Sequence, residues 1–89
     1  MDVDIEQYII NISGFSLSTT KEVLLYAFRP FGEIKNIELP YDLNTHRLKG
    51  NCQIEFEEYE DCVHAIDNMN LSELVGKVIH VSFAKKKKN

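Results

Sequence analysis

The chain has 89 residues, 44% hydrophobic and 27% charged, with ten basic and fourteen acidic residues and a net charge of −4. A chain this short builds one small core, which argues against a two-lobed enzyme, a repeat array or a large cofactor cavity. The acidic balance argues against a domain that grips nucleic acid by bulk charge alone.

The charge is unevenly placed. Four of the ten basic residues are Lys85, Lys86, Lys87 and Lys88, and without them the rest of the chain would stand at −8. Acids gather at Glu55, Glu57, Glu58, Glu60 and Asp61. No apolar run is long enough to span a bilayer. Asp2, Asp4 and Glu6 stand where a signal peptide would be basic or apolar. Cys52 and Cys62 lack the spacing of metal ligands, and a reducing compartment is expected.

Residues 1–6 read as a polar, frayed lead-in. Residues 7–12, QYIINI, are rich in β-branched and aromatic types and read as a strand. Ser13-Gly14-Phe15-Ser16 is a turn. Thr19 is the expected helix N-cap, with Glu22 completing a capping box. Val23, Leu24, Ala27 and Phe28 follow at helical spacing as one apolar face. Pro30 ends that helix, and Phe31-Gly32 turns the chain into a second strand over 34–39.

Residues 40–49 form a polar connection. A third strand is expected over 51–57, where Cys52, Ile54 and Phe56 alternate with Asn51, Gln53 and Glu55. That period of two means one buried face and one wet face. A second helix follows over 60–70, with Cys62, Ala65, Ile66 and Met69 at i, i+3, i+4 and i+7. Residues 71–76 are a loop with a short extended piece at Leu74-Val75. The last strand, 78–83, turns Ile79, Val81 and Phe83 inward and His80 and Ser82 outward.

The order strand, helix, strand, strand, helix, strand predicts an α+β fold of the ferredoxin-like, split βαβ kind. It is a sandwich of one four-stranded antiparallel sheet with both helices on one face. The other sheet face stays open, and function is expected there. The expected division is a lead-in over 1–6, a folded domain over 7–84, and a basic tail or linker start over 85–89.

These residues carry a family resemblance. The third-strand octamer of an RNA recognition motif reads K/R-G-F/Y-G/A-F-V-x-F/Y. Here KGNCQIEF stands in its place: Lys49, Gly50 and Phe56 match, Ile54 is conservative, and Cys52 is small. Asn51 and Gln53 depart from it, because both positions are outward-facing aromatics in a typical member. The first-strand hexamer of the family resembles QYIINI, which puts Tyr8 at the aromatic stacking position and Asn11-Ile12 at its end. The string AIDNMN-x-SEL-x-G and the segment AFRPFGEIKNIELPYD narrow the resemblance to the front domain of the nuclear cyclophilin E family, where a peptidyl-prolyl isomerase domain follows. Any isomerase would reside in a longer parent protein, since the motif occupies these 89 residues.

The resemblance implies binding of single-stranded RNA on the sheet face, in a nuclear setting of pre-mRNA processing, with the cytoplasm also open. The implied RNA-binding residues are Tyr8, Ile10, Arg47, Lys49, Asn51, Gln53, His80, Ser82 and Lys85. Binding is expected to be weak. Base stacking is worth about 1–3 kcal/mol per base, so two lost rings cost about 2–6 kcal/mol. Outward-facing Glu38 and Glu55 also repel phosphate. A second reading makes the chain a protein-interaction module, on the sheet face or the acidic helix side, and exposed Tyr26 and Tyr59 would favour it. The chain is expected to be a monomer.

An acylphosphatase-like enzyme on the same fold needs a phosphate-cradling loop with an Arg, and Ser13-Gly14-Phe15-Ser16 has no base. No catalytic residue, metal or cofactor is therefore expected. His46 and His64 have no partner ligands at metal spacing. Cys52 and Cys62 fit as small buried side chains.

Overall fold

The computed structural model describes residues 5–45, 47–48 and 50–85. A four-stranded antiparallel sheet forms the centre, its strands lying side by side in the order 34–38, 52–56, 5–13 and 80–85. Its strands are β1 (Ile5–Ser13), β2 (Ile34–Glu38), β5 (Cys52–Phe56) and β8 (His80–Lys85). Helices α1 (Lys21–Phe28) and α2 (Tyr59–Met69) follow β1 and β5. This is the ferredoxin-like arrangement that the element order predicts.

The helices cover one sheet face because every strand is apolar on that side. Ile10 and Ile12 from β1, Cys52, Ile54 and Phe56 from β5, and Val81 from β8 are buried. They pack with Leu24 and Phe28 of α1 and with Cys62 and Ala65 of α2. The third-strand alternation and the α2 spacing therefore mark the core correctly. Ile10, counted with the RNA-binding residues from sequence, is 0% exposed. It is a core residue, because it shares the parity of Ile12 and pairs with Ile54.

Local chemistry adjusts the element ends. Thr20, one residue later than expected, caps α1: its Oγ1 accepts the Val23 N–H at 3.2 Å. Thr19 is instead buried at 4% exposure. Helix α2 begins at Tyr59, where the Asp61 carboxylate accepts the Glu58 N–H at 3.2 Å. After α1 the chain makes a 3-10 turn over Arg29–Phe31 with Pro30 inside it. Proline cannot donate to a continuing helix.

The lead-in is shorter than expected, because Ile5 and Glu6 belong to β1 and Ile5 pairs with Lys85 of β8. Residues 1–4 and 86–89, the outer parts of the expected lead-in and tail, lie outside the described residues. Both long connections hold small hairpins. One pairs β3 (Tyr41–Asp42) with β4 (Arg47–Leu48), and Leu48 is buried at 2% exposure. The other pairs β6 (Glu73–Leu74) with β7 (Lys77–Val78). Its turn residues, Val75 and Gly76, both have positive φ, as a tight two-residue hairpin turn requires. Gly14 also has positive φ, +82°, and a Cβ there would crowd the Val78 carbonyl and the His80 ring.

Candidate nucleic-acid interface

The open sheet face is built by the residues that alternate with the core. In β1 these are Ile9, Asn11 and Ser13. In β5 they are Gln53 and Glu55, with Asn51 just before the strand. The pairing registers align four of them in one transverse row. Glu38 of β2 stands opposite Gln53 of β5, Gln53 opposite Asn11 of β1, and Asn11 opposite Ser82 of β8. A neighbouring position pairs Ser13 with His80. The row is polar from edge to edge and contains no ring.

Two shallow concavities flank the row. One, of about 530 Å³, is lined by Asn11, Glu38, Leu39, Pro40, Asn51 and Gln53. The other, of about 350 Å³, is lined by Asn11, Asn51, Gln53, Ser82, Phe83 and Lys85. Asn11, Asn51 and Gln53 line both. Their side chains make no hydrogen bond to another described residue, so their donors and acceptors are available to a ligand.

The sequence-derived residues divide into groups. Asn51, Gln53, Ser82 and Lys85 come together around Asn11. His80 is exposed near the end of the row. Arg47 lies on β4, opposite Asp42 in the hairpin beyond the row. Lys49 and His46 lie outside the described residues. Tyr8 is 46% exposed, but it stands where the β1–β8 register shifts between Ile5 and Ile10. It pairs with none of the row and lines neither concavity.

The centre of the face is therefore Asn11, which the hexamer reading assigned to the motif's end. Its signal was present: a polar residue between two apolar ones, Ile10 and Ile12, at strand period. The registered pairing with Gln53 makes Asn11, rather than Tyr8, the first-strand residue beside the octamer position. All three central positions then carry amides.

Away from this face, Tyr26 is 84% exposed on α1. Tyr59 is stacked on Phe83, with ring centroids 5.5 Å apart and planes at 8°, so part of its surface is already used within the fold. Burial pushes the Cys52 thiol up to about 12. Burial, with the nearby Asp61 charge, pushes Cys62 up to about 11. Neither is a nucleophile at neutral pH. Among the described residues, no group of three His, Cys, Asp or Glu side chains is arranged to hold a metal ion.

Comparisons with known proteins agree with this architecture. Residues 10–80 match the RNA recognition motif family, a match that begins at Ile10 and leaves Tyr8 outside. RNA-binding protein Y14 of Arabidopsis thaliana is 39% identical over 80 residues, which cover 90% of this chain and 40% of that protein. An uncharacterized RNA-binding protein of Schizosaccharomyces pombe is 36% identical, over 90% of this chain and 65% of its own length. The chain thus spans less than two thirds of these relatives. Their names carry the broad family and not the narrower cyclophilin E resemblance. In structure, the Rna15 RRM superposes with a TM-score of 0.81 at 23% identity, covering 88% of this chain and 90% of that one. The sheet order, the two helices on one face and the family match over 10–80 lead to one assignment: the chain belongs to the RNA recognition motif family.

Proposed function

We propose that this domain binds single-stranded RNA weakly, through hydrogen bonds from its sheet face more than through stacking, as a monomer in nuclear pre-mRNA processing. The observation that carries the reading is the row Glu38, Gln53, Asn11, Ser82. Unstacked bases in single strands present Watson–Crick edges, and amide side chains match those edges with paired donors and acceptors. A central row without rings forgoes about 1–3 kcal/mol per base at those positions, so affinity is low. Glu38 within the row and Glu55 beside it repel the phosphate backbone further. Lys85, at the rim of one concavity, supplies attraction that salt screens. A structure of the Rna15 RRM with bound RNA (GU), with a TM-score of 0.78 at 23% identity, is a precedent for RNA on this fold.

The test is a titration of the isotope-labelled domain with short oligo-U, oligo-A and mixed RNAs at two salt concentrations. The expected result is saturable movement of the Asn11, Gln53 and Ser82 amides with modest salt dependence. If those amides stay still while a ring-bearing control domain responds, the reading is wrong.

The same row favours a second reading, in which a protein surface occupies the face. Polar side chains without rings suit protein backbone groups as well as base edges, and an acid in the row suits a basic partner. In that case the domain is an interaction module, and the cyclophilin E resemblance suggests the front of a larger isomerase.

A further inference from the structure

Outside the C-terminal lysine run, this acidic chain has six basic residues: Lys21, Arg29, Lys35, Arg47, Lys49 and Lys77. Three of the six line a single groove between α1 and β2, of about 530 Å³. Lys21, Leu25 and Arg29 are spaced i, i+4 and i+8, so they form one stripe along α1 and into the 3-10 turn. Lys35 faces them from β2, where the register shifts between Ile34 and Asn36. Leu25, Ile34 and Ile37 supply the apolar part of the lining, and Glu33 is its one acid. The groove shares no lining residue with the two concavities of the open face.

All three cations are exposed, and none is held in an ion pair among the described residues. A concave surface with an excess of one charge, here three cations to one acid, focuses potential and gathers ligands of the opposite sign. The apolar lining then discriminates between anions. A phosphate backbone would use the cations and leave the lining uncovered. An acidic peptide with an apolar side chain uses both. β2 is a sheet edge, but its bulge and its lysine are devices that oppose strand addition, so side chains make the contacts. We infer that the α1–β2 groove docks an acidic peptide segment carrying an apolar anchor, on a surface separate from the sheet face.

The probe is a fluorescein-labelled peptide rich in Asp and Glu around a central Leu-Phe pair, titrated into the isotope-labelled full chain. Saturable shifts are expected at Lys21, Leu25, Arg29, Lys35 and Ile37, with Asn11, Gln53 and Ser82 unmoved. The charge reversal K21E/R29E/K35E is expected to weaken binding about tenfold or more, given three rim charges of modest individual worth. Neutral K21Q/R29Q/K35Q should fall between, and replacing the Leu-Phe pair by serines should also weaken binding. The inference is overturned if the peptide moves the sheet-face amides instead, or if charge reversal leaves affinity unchanged. It is equally overturned if an oligo-uridylate of the same charge occupies the groove as tightly, since the ligand would then be nucleic acid.

Discussion

Asn11 of β1 stands directly opposite Gln53 of β5, at the centre of the open sheet face. Opposed side chains on neighbouring strands lie within reach of each other and of a shared ligand. Where a ring-bearing member of the family stacks bases, this pair offers two amides. The centre of the sheet thus presents hydrogen-bonding side chains where stacking rings would stand.

Restoring those rings should raise affinity. N11Y and Q53F each add a ring at a partly exposed central position. The double variant is expected to bind short oligo-U about tenfold or more tightly, at about 1–3 kcal/mol per stacked base. Fluorescence anisotropy reads the change. Y8A, outside the paired row, should alter affinity far less. A loss with Y8A equal to the gain with N11Y/Q53F would return Tyr8 to the centre of the site.

Ile10 should behave as core. Ile10→Ala is expected to cost about 2–5 kcal/mol of stability, measured as a lowered urea midpoint. At temperatures where the variant remains folded, its RNA affinity should match the parent. A contact residue would show the reverse.

Gly32 packs against the start of α2. A Cβ added there would fall on the Asp61 carboxyl group, which accepts the Glu58 N–H. Gly32→Ala should therefore destabilise by about 1–3 kcal/mol through overpacking. Asp61→Ala removes the carboxyl group but leaves its own Cβ 2.6 Å from the added one, so it relieves the clash only in part, and the double variant should lose slightly less than the two single variants added together. Thermal unfolding of the four proteins measures the coupling.

Asn70 ties the end of α2 to β8. Its Oδ1 accepts the Val81 N–H at 2.9 Å. Asn70→Ala leaves that donor without a partner and should cost about 1–2 kcal/mol. Asn70→Asp keeps an acceptor and should recover most of the loss in urea unfolding.

The two buried thiols predict an alkaline limit. Their folded values, about 12 for Cys52 and about 11 for Cys62, lie above the ordinary 9.0. Below pH 9 both states keep the thiols protonated, and this contribution is fully present. As the pH rises past 9, the unfolded chain loses protons that the native state keeps, so stability falls towards pH 11–12. Urea midpoints at pH 8 and 10.5 should differ in that direction, and C52A/C62A should flatten the difference. A thiol reagent at pH 8 should label both residues only after unfolding.

Much of this architecture was legible in residue order. Cys52, Ile54 and Phe56 announce a one-sided strand, and Cys62, Ala65, Ile66 and Met69 announce a one-sided helix. Side-chain periodicity is local geometry, so the element order and the open face follow from it. The centre of the face was harder to read, because Ile9 and Ile10 are adjacent apolar residues and QYIINI fits two alignments. Pairing with Gln53 and Ser82 resolves them, and pairing is a property of distant segments brought together. The α1 stripe Lys21, Leu25, Arg29 was likewise visible as a spacing. Only packing of α1 beside the β2 edge sets Lys35 across from it.

The sequence by itself therefore determined the element order, the buried faces and the loss of the two third-strand rings, since each depends on neighbours in the chain. Tertiary structure decided that Asn11 makes the third amide of the central cluster, that Ile10 belongs to the core, and that three dispersed cations share one groove. Those facts depend on strand register and helix docking, which contacts between remote residues fix.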